Sequence, residues 1–416
     1  MASHDDTAAA GLALALTWAA VVACGHPSGL PASETDPSTD VATANDISAE
    51  HDGTGDAEDV TPDRTEAETS PGSECAGDPF SEAFTRRVIE TLAQPAWQGR
   101  RFDSVGLEQA VSWVRDQFAC LGLSPGAPSL PGLPDNDFLQ PFETDGDEID
   151  PASDISDYTF DPDAIYAFTN VVGSIPGTGE LAGEVIVVGA HLDHLGHYGR
   201  LDDALVLGAN DDASGVLALL AIARHIAREP APASRRTLVF AAWGVEEDPF
   251  YLRGSQAFTA AIDAADPTTA DRIMSYVNFD MIGSYRDHEL LYLLGTYDAP
   301  AGTELAESPG HRIARALAGD HPDLEIELGY RGEASDHVTF CEEGIPYVFF
   351  WTEDDCYHRP CDAPDRIDHP NLGRILRLAA DLTKALAIDD GLATAREEFH
   401  EAFLAAYPGM TCATVE

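Results

Sequence analysis

The sequence predicts an α/β fold of three layers, α/β/α, in which a largely parallel sheet is covered by helices on both faces. Three observations lead there. Short apolar runs recur at residues 183–190, 237–243, 274–280 and 346–351, each too short for a helix and rich in β-branched or aromatic side chains. Helical spacing of apolar residues fills much of the sequence between them. Several runs end on His, Asp or Glu, and the carboxyl edge of an open α/β sheet is where ligands bind. No repeat of 20 to 50 residues competes with this reading.

Taken in order, the chain opens on an apolar stretch, Ala8 to Ala23, with the length of a signal-peptide core. It ends Val21-Val22-Ala23-Cys24, similar to a bacterial lipobox. Residues 1–24 are therefore expected to direct export, making the protein a cell-envelope lipoprotein or a secreted protein, with membrane contact only through a lipid on Cys24. The segment MASHDDTAAA departs from the usual positive start, with Asp5 and Asp6 and no Lys or Arg. Residues 25–77 are rich in Ser, Thr, Pro, Asp, Glu and Gly, with almost no large apolar side chains and Arg64 as the only Lys or Arg. Such a segment cannot bury enough apolar surface to offset chain entropy, so it reads as a disordered acidic tether.

Residues 78–390 read as the folded domain and 391–416 as a C-terminal tail. Phe84 to Leu92 and Leu107 to Leu121 have helical spacing, with Gln98-Gly99-Arg100-Arg101 between them. A Pro and Gly loop and an acidic stretch follow, and Asn170 to Gly173 is expected to be an outer strand. The run Gly183 to Ala190 is the central strand, and the helix Val216 to Ile226 follows it. After the strands at 237–243 and 274–280, further strand-like runs at 289–294, 324–328 and 346–351 alternate with helices at 311–317 and 335–342. Asn371 to Ile388 closes the domain.

Composition excludes some partners. With 23 basic against 73 acidic residues, a net charge of -50 and Lys384 as the only lysine, the chain lacks the basic footprint that nucleic acid requires. Seven cysteines stand at 24, 75, 120, 341, 356, 361 and 412. Setting Cys24 aside leaves an even six for disulfides outside the cytoplasm, with a local bridge expected among Cys341, Cys356 and Cys361.

The strand ends carry the chemistry. His191 closes the central strand with Asp193 two residues on, and Asn210-Asp211-Asp212 precedes the next helix. Alone, an HxD or DD pair is more often a turn or a cap. The strand at 237–243 runs into Glu246-Glu247, however, and adjacent side chains in an extended segment point opposite ways, so one can face a metal and the other a water. The strand at 274–280 delivers Asp280, and the last strand leads to His358. Two histidines and three carboxylates, His191, Asp211, Glu247, Asp280 and His358, are what two zinc ions need if one carboxylate bridges them. Glu246 would then move the proton.

In order, the stretches AHLDHLG, GANDDASG, RRTLVFAAWGVEE, VNFDMIG, ASDHVTF, GIPYVFF and YHRPCDAPD resemble the dizinc exopeptidase family of bacterial leucyl aminopeptidases, aminopeptidase Y and glutamate carboxypeptidase II. The resemblance covers residues 79 to 390 and includes QGRR, CLGL and LQPF of the leading segment. It implies a mixed, mostly parallel sheet of the zinc-exopeptidase type and two Zn2+ per chain, with Co2+ or Mn2+ able to use the same donors. It implies metal binding by His191, Glu247, Asp280 and His358, a bridging Asp211 and Glu246 as general base. It also implies a cis peptide between Asp211 and Asp212, Asp193 behind His191, and Asp212 as a further supporting residue. The activity implied is release of N-terminal residues from peptide substrates by a monomer.

Within that family a carboxypeptidase or dipeptidase and a glutaminyl-cyclase-like acyltransferase remain alternatives. Arg253, Arg331 and Arg359 would serve a substrate carboxylate, and Tyr357 stands where the cyclase has Trp. A catalytically dead, receptor-like relative would have lost ligands that are all present here. One departure lies after Glu247, where the chain is about two residues longer than the common WSGEE…GS pattern, in a loop expected to border the substrate pocket. His194 and His197 are expected behind the ligands or at the surface. His337 reads as a structural hydrogen-bond partner near the pocket, and His225, His288, His311, His321 and His369 as solvated.

Overall fold

The computed structural model describes residues 77–146, 161, 163–198, 204–247, 249–297, 306–329 and 335–406. All belong to the second of the two units into which the chain divides, Ala67–Glu416. The signal-like segment, Cys24, the tether up to residue 76, Cys412 and Arg331 lie outside the described residues.

In chain order the strands are Ser124–Pro125 (β1), Leu139–Asp145 (β2), Ile165–Ile175 (β3), Val185–His191 (β4), Gly196–Tyr198 (β5), Ala204–Val206 (β6), Thr237–Trp243 (β7), Ile273–Phe279 (β8), Leu291–Leu294 (β9), Thr296–Tyr297 (β10), Ala306–Glu307 (β11), Ile326–Gly329 (β12) and Tyr347–Trp351 (β13). The helices are Glu82–Leu92 (α1), Val105–Leu121 (α2), Ala213–Ala227 (α3), Arg253–Ala265 (α4), Tyr285–His288 (α5), Pro309–Ala318 (α6), His337–Glu342 (α7), His369–Ile388 (α8) and Leu392–Ala406 (α9). A 3-10 segment, Pro95–Arg100, precedes α2.

The four long apolar runs lie side by side as β7-β4-β8-β13, all parallel, so their carboxyl ends share one edge. Antiparallel strands flank this centre: β3 pairs with β7, and β9 pairs with β13. The sheet is therefore mixed, parallel through its middle. Strands buried on both faces need apolar side chains at every position, which is why β4, β7 and β8 read as continuous runs. Alternate residues still part to opposite layers. Ile186 and Val188 enter the core packed by α1, α2, α3 and α8, while Val185 and Val187 enter the one packed by α4 and α7.

The stretch 170–173, expected at the outside, is instead part of an interior strand, with Val171 and Val172 at 0 % exposure. Both β1 and β2 pair along the outer side of β3. The sequence of β2, LQPFETD, is too polar to announce itself as the strand that covers this edge.

Helix starts follow from capping. Ser81, Ser104, Asp212, Ser308 and Asp368 each accept an N–H from the first turn of α1, α2, α3, α6 and α8. α2 ends at Gly122 in the left-handed conformation, φ 76°. α3 is apolar all round and buried along nearly its whole length, because β4, α1, α2 and α8 enclose it. The direction of α3 fixes where Asp211 and Asp212, at its amino end, meet the sheet edge. Residues 392–406 in the C-terminal segment form α9, whose Phe399 packs against the α4–α7 core.

Candidate metal centre

The carboxyl edge of β7-β4-β8-β13 gathers the residues singled out by spacing. His191 is the last residue of β4 and 1 % exposed. Its Nε2 lies 3.1 Å from Asp211 Oδ1 and 3.7 Å from Asp280 Oδ1. On the other side of Asp211, Oδ2 lies 3.4 Å from His358 Nε2, which is 3.3 Å from Glu247 Oε2. One carboxylate thus turns its two oxygens to two different histidines, each with a carboxylate of its own. Glu246 stands beside them, since its donor atom, one of His191 and one of Glu247 all fall within 4.8 Å of one another.

These side chains are held by backbone contacts from distant segments. Asp193 accepts the N–H groups of Glu246 and Glu247 at 2.9 and 3.2 Å, tying the end of β7 to that of β4. Its carboxylate also lies 3.5 Å from His191 Nδ1, whose closer contact is the Asp193 carbonyl at 3.2 Å. The peptide between Asp211 and Asp212 is cis. Asp212 Oδ1 accepts from Gly215 N–H at 2.8 Å and Met281 N–H at 3.3 Å, joining α3 to the end of β8. Asp362 accepts the N–H groups of Asn210 and Asp211 at 2.7 and 3.1 Å. His358 itself has φ 54°, stacks on Tyr357 at 3.8 Å and is bracketed by the Cys356–Cys361 disulfide. Cys120 and Cys341 are disulfide-bonded as well.

Arg100 is 0 % exposed and reaches across the underside of this edge. Its guanidinium donates to the carbonyls of Leu192 (2.7 Å), Leu92 (2.8 Å), Leu207 (3.0 Å) and Gly208 (2.7 Å). It therefore clamps the loop after His191 to the loop before Asp211. Burial lowers its pKa, while Asp362, Asp212, Asp193 and Asp211 pull it back up.

Charge at the site is lopsided. Asp193, Asp211, Asp212, Glu246, Glu247, Asp280, Asp336 and Asp362 are all buried, against the imidazoles and Arg100. Burial first, then the charges of Glu247, Asp336 and Asp280, push Glu246 well above the usual carboxylate range, with His191 opposing. Its neighbour goes the other way. Burial and Asp211 would raise Glu247, but His358 and His194 hold it at about 2. Two adjacent carboxyls with opposed pKa values suit different tasks, one keeping a proton and the other staying anionic.

The residues fit divalent cations. Asp280 Oδ1 is fully enclosed yet makes no hydrogen bond. A buried carboxylate oxygen in that state is costly unless a cation satisfies it. Three overlapping sets draw on His191, His194 and five of these carboxylates, and imidazole with carboxylate is a donor chemistry that zinc, cobalt and manganese accept. Bound dications would also lower the carboxyl pKa values that crowding raises.

All five expected donors and Glu246 meet here, with Asp193 and Asp212 behind them. The site opens on a cavity of about 620 Å³ whose far wall includes Phe349, Trp351 and Glu353. Tyr251, in the longer loop after Glu247, lines it, so that loop does border the pocket. His197 is exposed, but His194 is buried against Glu247, Nδ1 to Oε1 2.7 Å. His337 lies against Tyr347 and Phe349.

Of the histidines expected in solvent, His288 lines the cavity and pairs with Glu353 and Asp355. His225 and His321 are half-buried. His311 and His369, expected in solvent, are instead buried, at 0 and 3 % exposure. Both stand at helix starts turned inward, His311 toward the Leu293 carbonyl and His369 toward Thr85, contacts that spacing alone does not announce. Spacing alone does not mark Arg100 or Asp362 as site residues, although they fall in the stretches QGRR and YHRPCDAPD.

Comparison with known proteins identifies a family and a fold. Residues 170–383, more than half of the chain, match the model of peptidase family M28. An aminopeptidase of Pseudomonas aeruginosa (strain UCBPP-PA14) is 27 % identical over 244 residues, 51 % of this chain but 42 % of that relative's length. Two solved structures share the fold. The aminopeptidase from Aneurinibacillus sp. strain AM-1 has a TM-score of 0.54 at 17 % identity, covering 76 % of this chain and 96 % of its own. The glutaminyl cyclase of Fimbriiglobus ruber has a TM-score of 0.55 at 16 % identity, covering 74 and 95 %.

Proposed function

This chain belongs to peptidase family M28, and from that premise we propose that it is a zinc-dependent aminopeptidase removing N-terminal residues from peptides. The observation that carries the reading is the divided Asp211 carboxylate, with Oδ1 toward His191 and Oδ2 toward His358. Such an arrangement suits two cations bridged by one side chain.

In this reading His191 and Asp280 would hold one zinc, Glu247 and His358 the other, and Asp211 both. Bound there, the ions supply Lewis acidity toward the scissile carbonyl and make water acidic near neutral pH. Glu246 takes the proton of the attacking water and returns it to the departing amine, a role open to it once bound cations offset the crowding that raises its pKa and leave it ionised. Asp193 fixes the glutamate's orientation by accepting its N–H. Asp212 and Asp362 fix the peptide that carries Asp211.

The choice of the free amine over the free carboxylate rests on charge. Among the described residues lining the cavity none is Lys or Arg. Arg359 instead donates to the Asp355 carbonyl, and Arg253 to Gln256 at the start of α4. A surplus of carboxylates favours an ammonium group and disfavours a C-terminal carboxylate.

The test is hydrolysis of leucyl-p-nitroanilide beside its N-acetyl form by the full chain, with zinc and after chelation. Cleavage confined to the free-amine substrate, abolished by chelation and restored by zinc, is expected. A zinc-loaded protein that cleaves neither, but releases C-terminal residues or cyclises an N-terminal glutaminyl peptide, would replace this reading.

A further inference from the structure

His194 is not among the five donors considered so far, yet it faces two of them. It lies in the turn that leaves β4, three residues after His191, with its side chain 0 % exposed. Its Nδ1 is 2.7 Å from Glu247 Oε1 and 3.7 Å from Asp211 Oδ2. Across from it, His358 Nε2 approaches the same two carboxylates at 3.3 and 3.4 Å, and the two imidazole rings meet edge to face, 5.8 Å apart. Asp211 and Glu247 are thus addressed by two histidines.

Donor spacing can be compared with what a metal demands. Four donors at the usual zinc distances, arranged as a tetrahedron, lie about 3.4 Å apart. Three of the six separations that this requires, 3.3, 3.4 and 3.7 Å, scatter around that value; the 2.7 Å contact, a hydrogen-bond distance, is to the second oxygen of the Glu247 carboxylate, and donor atoms of His194, Asp211 and Glu247 all fall within 4.8 Å of one another. A histidine serving only to orient Glu247 would need that one short contact and no approach to Asp211. The other ring nitrogen, Nε2, is buried and makes no hydrogen bond. Metal-ligating histidines are normally turned by a partner on their second nitrogen, so in His194 the packing, with 0 % exposure, takes over that task.

We propose that His194 is a further nitrogen donor to the metal position formed by Asp211, Glu247 and His358, giving it four protein donors where the His191–Asp280–Asp211 position has three. The inference rests on the two-metal reading of the centre but not on the substrate. Its consequence is asymmetry. Four protein donors close a zinc site, whereas three leave a place open for an exchangeable group. The His194 side therefore binds the first and tighter ion, and the His191 side holds the ion that exchanges and faces the reaction.

The experiment is stepwise cobalt(II) titration of the full chain after chelation, followed by visible absorption, which is intense for four-coordinate cobalt and weak for five- or six-coordinate cobalt. The first equivalent is expected to give the intense spectrum. In His194→Asn the first step should weaken more than a hundredfold, beyond the 10- to 100-fold cost of losing an outer hydrogen-bond partner, and the intense band should fade. His194→Cys should restore tight binding and add a thiolate-to-cobalt charge-transfer band in the near ultraviolet. Circular dichroism checks that both variants are folded. An unchanged first step in His194→Asn, or cobalt bound by His194→Cys without the charge-transfer band, would overturn the proposal. Neither readout uses hydrolysis, so an incorrect substrate assignment leaves the result intact.

Discussion

Replacing Glu246 by Gln keeps the size of the side chain and removes one charge from a crowded group. The donor atoms of Glu246 and Glu247 lie within 4.8 Å of each other, a separation at which two carboxylates repel by about 3 kcal/mol at an effective dielectric of about 20. Protonation relieves part of that already, because burial and the charges of Glu247, Asp336 and Asp280 push Glu246 up against the pull of His191. The expected gain for the chelated protein is therefore about 1–2 kcal/mol. Catalysis should move the opposite way, since a lost general base costs roughly 10²- to 10⁴-fold. Urea unfolding of the chelated protein measures the first quantity, and turnover of leucyl-p-nitroanilide at saturating zinc the second, with zinc content determined on the same samples. A variant that holds zinc as the parent does, is more stable without it and hardly turns over is the expected outcome. One that unfolds more easily than the parent, or keeps turnover within tenfold, would refute the assignment of Glu246 as a charged proton carrier held at a cost in stability.

Asp211→Ala should retain neither ion through gel filtration under conditions where Glu246→Gln retains both, because it removes donors from both positions at once; metal analysis of the eluted protein checks this. Arg100→Met should strip the donors from four carbonyls, at about 1 kcal/mol or more each, and so cost about 4 kcal/mol in urea unfolding of the chelated protein; a loss under about 1 kcal/mol would contradict the clamp. His369 gives a pH signature away from the metals. Its Nε2 is buried without a partner, and burial, followed by the Arg86 charge, lowers its pKa from 6.5 to about 4. The folded state therefore favours the neutral ring. Its contribution is complete above about pH 6.5 and is lost as pH falls from there to about 4, by roughly 2–3 kcal/mol. In His369→Gln the unfolding free energy should change less between pH 7 and pH 4.5 than in the parent.

What could be read in the sequence and what could not divide along a physical line. Metal donors come from a short list of side chains, and in a parallel sheet each must stand at the carboxyl end of a strand or the start of the next helix. His191, Glu247 and Asp280 stand at or just past strand ends, Asp211 just before α3 and His358 in the loop after β13, so apolar runs followed by His, Asp or Glu single them out as candidate donors. β3 escaped because the strands covering its outer edge, LQPFETD and a two-residue β1, carry no clear alternation. Its interior place follows from pairing partners, which periodicity does not encode.

The residues that hold the donors in place obey no comparable rule, because they act on backbone groups that every residue possesses. Arg100 reaches carbonyls 92 and 108 positions away, and Asp362 reaches N–H groups 151 and 152 positions away. Nothing in the local sequence of the Leu192 or Gly208 loops marks them as targets. A buried arginine beside a strained turn does leave one trace. Gln98 and Arg100 adopt φ of 51° and 56°, and Gly99, at φ 65°, lies where an added Cβ would fall 2.1 Å from the Val206 carbonyl. A Gly-Arg pair at the end of a short 3-10 segment is therefore committed to close packing against the ligand loops. The candidate centre is thus organised in two tiers: proposed donors that chemistry restricts to few residue types, and clamps that only the fold can reveal. His194 stands between them, with a donor's chemistry and, like the clamps, only its contacts to show what it does.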